Sequence, residues 1–147
     1  MIFQKTNINP KGWKTGDCVV RAIAQANNTS WEVTYQQLCE IGLKKCRMPN
    51  DKQTYEALLK QYGWVKQKMP RHTDGTRYTV EELSYEISPT RTVIISVAHH
   101  LTCLKQNVLM DTWDCRNKSV GNYWIKEDND FCITLDEMND KVRKVLL

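Results

Sequence analysis

No stretch of this 147-residue sequence is apolar for long enough to cross a membrane. The opening MIFQKTNINPKGWKTGD also lacks the apolar core of a secretion signal. Both absences lead us to expect a cytoplasmic chain with no membrane partner. Charge of one sign is scarce as well: 21 basic against 17 acidic side chains leave a formal +4, and no basic run exceeds two residues. That balance gives no electrostatic footprint for nucleic acid, the least favoured class of partner. No internal repeat, low-complexity tract or linker interrupts the sequence. Residues 1–147 are therefore read as one domain, of a size at which roughly 70% of the unfolded surface can be buried.

None of the six cysteines (Cys18, Cys39, Cys46, Cys103, Cys115, Cys132) forms a CxxC pair. Without a secretion signal, reduced thiols are the default state. A zinc site built from Cys103, Cys115 and a histidine would lack the close-pair spacing of structural zinc sites, so no metal and no cofactor is expected. Histidine is rarer still, with only His72, His99 and His100. His72 sits in the polar loop PRHTDGT and is expected to be solvated.

What is present is helical periodicity, followed by a β-rich stretch. CVVRAIAQANN puts Val19, Ala22, Ile23 and Ala26 on one helical face, preceded by the turn and cap types Thr15, Gly16 and Asp17. A second helix is expected from TSWE, with Thr29 and Glu32 at capping-box spacing, to Gly42. A third runs from about Asp51 to Tyr62, with Tyr55, Leu58, Leu59 and Tyr62 as its apolar stripe and Gly63 as its stop. GWVKQKM reads as a short strand. TVEE opens a fourth helix with Thr79 and Glu82 as its capping pair, closed by Pro89. TVIISVAHHLTCL reads as one buried central strand, VLMDTWD returns from a turn at Lys105–Asn107, and VGNYWIK adds a third strand. TLDE begins a last helix with Leu135, Met138, Val142 and Val145 on one side. Helices first, an antiparallel sheet second and a closing helix define an α+β class.

The chemistry starts from the hairpin. A turn centred on Gln106 and Asn107 sets His100 opposite Trp113 and Thr102 opposite Asp111. His100, Asp111 and Trp113 then share a face, with Asp111 on the diagonal from His100. A carboxylate there can hold one imidazole nitrogen and favour the imidazolium, while Trp113 shields the bond from water. His99, on the other face of a strand, replaces His100 if the register slips by one. Cys18, in the first turn of its helix, meets the positive end of the helix dipole, and an imidazolium beside it would complete an activated nucleophile. Free N–H groups at the same helix start suit an oxyanion. Taken singly, Cys18 reads as a small buried hydrophobe, His100 as a satisfied core histidine and Asp111 as a turn former. Together they read as a triad. Trp13, Trp31, Trp64 and Trp124 are expected in the core or cleft wall, and Cys39, Cys46, Cys103, Cys115 and Cys132 as structural.

A cysteine opening an apolar helix, a later histidine on a strand and then Asp-x-Trp resembles the papain-like cysteine peptidase superfamily, whose third residue is an Asn followed two places on by a shielding Trp. The Asp variant, Asp111–Trp113 here, resembles the bacteriocin-leader-processing branch. NPKGWKTGDCVVRAIA, HHLTCL and DTWDCRNKSVGNYW are similar to a group of small proteins encoded by phages and prophages of Gram-positive bacteria, over roughly Asn9 to Trp124. The resemblance implies a papain-like fold, helices packed on an antiparallel sheet with the nucleophile at a helix start. It implies a cysteine hydrolase acting on peptide or isopeptide bonds through a thioester, with Cys18, His100 and Asp111 as the triad. The family places an oxyanion-hole Gln six residues before the nucleophile. That position is Gly12 here, and Asn9 is the nearest upstream amide that could substitute. Two other readings stand beside it: a deamidase or acyltransferase with the same triad, and a non-catalytic papain-like module acting by protein–protein contact.

Overall fold

The apolar spacing of CVVRAIAQAN becomes helix α1, Cys18–Asn27, in the computed structural model, which describes residues 1–126. Val19, Val20, Ile23 and Ala26 are buried along it. Upstream, Ile2–Lys5 forms strand β1, of which the short, non-alternating IFQK gives no warning. Helix α2 spans Trp31–Lys45. Its N-cap is Ser30, whose hydroxyl accepts from Val33 N at 3.1 Å, rather than the expected Thr29, which pairs with the Thr34 hydroxyl at 2.9 Å. The helix also runs past Gly42. That glycine is a point of close approach, because a Cβ there would lie 2.5 Å from the Arg47 carbonyl oxygen.

Helix α3, Lys52–Gln61, is capped by the Asp51 carboxylate, which accepts from Gln53 N at 2.8 Å. Strand β2 covers Trp64–Gln67. Helix α4, Val80–Glu86, carries the expected capping box, with Thr79 Oγ1 accepting from Glu82 N and Glu82 Oε1 from Thr79 N, at 3.1 and 3.0 Å. It ends before Pro89 is reached.

The single strand expected over TVIISVAHHLTCL is two: β3, Thr92–Val97, and β4, His100–Lys105. Ala98 and His99 make a two-residue turn between the paired Val97 and His100, and His99 takes a left-handed φ of 55°. Neither residue is a turn former by type, so continuous apolarity concealed the break. Strand β5, Val108–Asp111, follows a turn in which Gln106 and Asn107 both have positive φ (50° and 64°), as a tight type I′ hairpin requires. Tyr123–Lys126 is strand β6. The helix expected from TLDE lies outside the described residues.

The six strands form one sheet in the order β1-β5-β4-β3-β6-β2. β1 and β5 pair in parallel, with Lys5 beside Asp111, and the other neighbours are antiparallel. The expected antiparallel sheet is thus mixed, within an α+β architecture of four helices among the described residues. Alternation along the strands separates two cores. Ile94, Leu101, Cys103 and Trp124 pack with α1, α2 and α3 on one face, whereas Val93, Ile95, Leu104 and Leu109 pack with Val80 and Leu83 of α4 on the other. Each fully buried aliphatic side chain contributes about 1.5–3 kcal/mol to this sandwich. Among the described residues no helix is long and apolar enough to cross a membrane.

Candidate active site

The β4–β5 register pairs Cys103 with Met110 and Leu104 with Leu109. Two residues further along, this brings Asp111 diagonally to His100, and the His100 Nε2 lies 2.6 Å from Asp111 Oδ2. Trp113 sets its ring 4.9 Å from that of His100, tilted by 53°. With Nε2 engaged by the carboxylate, Nδ1 is the nitrogen left for proton exchange.

Cys18 stands at the first position of α1, beside the start of β4. Burial acts to raise its thiol. Hydrogen bonding to the His100 ring and the Leu101 backbone, together with the charges of His100 and Arg21, outweighs burial and lowers the thiol below its usual value. Burial likewise disfavours the imidazolium of His100, but hydrogen bonds to Asp111, Cys115 and Cys18 push it up to about 11. Asp111 would be raised by burial, yet its bonds to His100 and Arg21 hold it below the ordinary carboxylate range. All three shifts favour a thiolate–imidazolium pair steadied by a carboxylate at neutral pH.

Helix α1 differs from its neighbours at its start. α2, α3 and α4 each have a side-chain cap, but the N-cap of α1, Asp17, makes none. Its carboxylate turns away, accepting from Arg21 Nε at 2.8 Å, Trp31 Nε1 at 2.9 Å and Asn9 Nδ2 at 3.1 Å. The first N–H groups of the helix, around Cys18, therefore have no side-chain acceptor among the described residues. A helix start in that state presents donors and positive potential to an anion.

Asn9 is corrected by the same geometry. Its Nδ2 serves Asp17, and its Oδ1 accepts from the backbone N of Lys11 and Trp13 at 3.0 and 3.3 Å. Both ends of the amide are committed to the loop, so Asn9 supports Asp17 instead of replacing the missing Gln. Gly12 is exposed with φ 68°.

A cavity of about 540 Å³ opens over Cys18 and His100, and Asn50, Lys52, Tyr55 and His99 also line it. Tyr55, expected only as part of an apolar stripe, has its ring packed edge-on against Trp124 at 6.0 Å. Burial, with the charges of Glu56 and Cys18, pushes its phenol up to about 12, so it is a protonated donor across the physiological range. His99 shares the cavity with no carboxylate partner among the described residues; His100 has one.

Two further residues border the site: Arg21, which the sequence reading passed over, and Cys115, which it expected to be structural. Arg21 is 8% exposed and bridges two carboxylates, Nε to Asp17 and Nη1 to Asp111 Oδ1 at 3.0 Å. A charge inside the apolar run CVVRAIA was the available signal, since a buried guanidinium needs buried partners. Removing one member of such a set costs about 3–5 kcal/mol. Cys115 is fully buried, and its thiol, His100 and Asp111 offer donor atoms within 4.8 Å of one another. These are ligand types, but Asp111 Oδ2 is taken by His100 and Oδ1 by Arg21 and Thr112 N. The cluster reads as a closed hydrogen-bonded set.

The remaining expectations fare unevenly. Trp64 and Trp124 are buried as expected, whereas Trp13 is 64% exposed. Cys46 is exposed, and His72 pairs with Glu82 Oε2 at 2.6 Å while stacking on Tyr78. No protein-family model, curated protein or solved structure matches this chain.

Proposed function

We propose that this chain is a papain-like cysteine hydrolase acting on an acyl group of a protein or peptide, with Cys18 as nucleophile, His100 as acid and base, and Asp111 orienting His100. The single observation that carries the reading is the convergence of a thiol at an uncapped helix start with an imidazole whose far nitrogen is held by a buried carboxylate. Each component is common alone, and their union is the arrangement that thiol acyl transfer requires.

In this reading the Cys18 thiolate attacks the acyl carbon and the C–N bond breaks. The leaving amine takes a proton from His100 Nδ1, and a thioester remains on Cys18. Water, giving a proton to His100, then attacks the thioester, releasing the carboxylic acid and restoring the Cys18 thiolate beside protonated His100. An amine in place of water would make the same site an acyltransferase, and a side-chain amide as substrate would make it a deamidase. The oxyanion formed at each step would meet the open N–H groups at the start of α1, with Tyr55 as the side-chain donor nearest in role to the absent Gln.

Alkylation of the intact protein with iodoacetamide, read by peptide mass spectrometry, tests the reading. Cys18 is expected to label at neutral pH at least ten times faster than exposed Cys46. The advantage should disappear in His100→Ala. Cys18 labelling no faster than Cys46 would overturn the assignment.

A further inference from the structure

Arg21 lies one helical turn beyond Cys18, on the same helix, and is not among the residues that line the cavity. Among the described residues its guanidinium is nevertheless the side-chain link between the helix that carries the nucleophile and the strand that carries Asp111. Asp17 fixes it from one side through Nε, and Asp17 is itself fixed by Trp31 and Asn9. From the other side, Nη1 and the Thr112 N–H, at 3.0 and 2.7 Å, both occupy Asp111 Oδ1. Only Oδ2 is left for His100. A planar fork that reaches two carboxylates at once is a task for arginine and not for lysine.

We propose that Arg21 is a positioning residue of this site: clamped by Asp17, it fixes Asp111 so that one carboxylate oxygen faces His100, and it sets a buried positive charge beside the Cys18 thiolate. The proposal rests on the hydrolase reading above and adds to it a second, electrostatic layer made of Asp17 and Arg21. The two charges act oppositely on Cys18. Arg21 favours the thiolate, and Asp17, next to Cys18 in sequence, disfavours it while holding Arg21 in place. Among the described residues, the other charged or titratable groups around the thiol are His100 from β4, Asp111 from β5, Cys115 beyond it, and Lys52, Tyr55 and His99 across the cavity. Of these, Asp111 is the group that Arg21 itself contacts.

The test is the pH profile of Cys18 alkylation by iodoacetamide in the full chain, with folding checked by circular dichroism and thermal melting. Arg21→Gln is expected to move the acid limb to higher pH and slow labelling at pH 6 by about tenfold, one unit of ionisation. Asp17→Asn is expected to move the limb the other way, to lower pH. Arg21→Lys should keep the limb near its wild-type position, because the charge survives. It should lose hydrolysis by tenfold or more, because the two-sided fork does not. A purely structural role would instead lower the melting temperature in all three variants and shift the limb in one direction or not at all. That outcome, with wild-type Cys18 still outpacing Cys46, overturns this proposal and leaves the hydrolase reading standing. Wild-type Cys18 no faster than Cys46 overturns the hydrolase reading, and the role of Arg21 with it.

Discussion

His100 Nε2 and Asp111 Oδ2 meet at 2.6 Å across the β4–β5 hairpin, with both side chains almost fully withdrawn from water. A hydrogen bond between opposite charges in that setting is strong and fixes the ring's tautomer. Asp111→Asn keeps the shape and removes the charge. Hydrolysis of a peptide acyl substrate should fall by about 10²–10⁴-fold. The alkaline limb of the rate profile, set in the wild type by loss of the His100 proton near pH 11, should move down by at least one unit. Steady-state rates between pH 6 and 11 would check both, and an unmoved limb would contradict the role given to Asp111.

The same pair makes stability depend on pH. His100 is raised on folding from an ordinary 6.5 to about 11, so its contribution is complete below 6.5 and is lost progressively as pH rises through 11. Asp111 is lowered from 3.8, so its contribution is complete above 3.8 and is lost as pH falls through the lowered value. Together they act fully between those two ordinary values. The melting-temperature gap between wild type and His100→Ala should therefore be widest near pH 5–6 and shrink steadily toward pH 11. A gap that grows with pH would reverse the sign argued here.

Tyr55→Phe separates binding of the oxyanion from activation of the thiol. Hydrolysis should drop by about 100- to 1,000-fold, the range for loss of one oxyanion donor. Cys18 alkylation, which forms no tetrahedral oxyanion, should change less than twofold. Equal effects on both rates would remove Tyr55 from that role.

Gly42→Ala adds a methyl group 2.5 Å from the Arg47 carbonyl oxygen, a backbone atom that cannot step aside without moving the chain. Helix propensity favours alanine by up to about 1 kcal/mol. Overpacking outweighs this, and the substitution should destabilise by about 1–3 kcal/mol in chemical unfolding. A stabilised variant would show that the turn after α2 yields easily.

Much of this architecture was legible because local chemistry and tertiary structure agree. The capping box at Thr79 and Glu82, the cap at Asp51, and the Gln106–Asn107 turn each follow from residue type alone. The hairpin turn then fixed which side chains oppose one another, and with them the meeting of His100 and Asp111. The losses have physical causes. Ala98 and His99 carry no turn signature, so two strands looked like one. Ile2–Lys5 has no alternation to mark it, because its pairing with Val108–Asp111 is supplied by a partner distant in sequence. Gly42 resembled a helix stop but answers to the close approach of the turn that follows α2, and Thr29 lost its cap to Ser30 by one position. Arg21 was visible only as a misfit charge in an apolar run, and its reason for being there lies on another strand.

The parallel seam between Ile2–Lys5 and Val108–Asp111 also governs timing. As the chain emerges from the ribosome, Cys18 and its helix appear long before the strand bearing Asp111, and β1 must wait for that same strand to find a neighbour. On the hydrolase reading proposed above, Cys18 gains its base, and the base its carboxylate, only once β4 and β5 have joined the sheet.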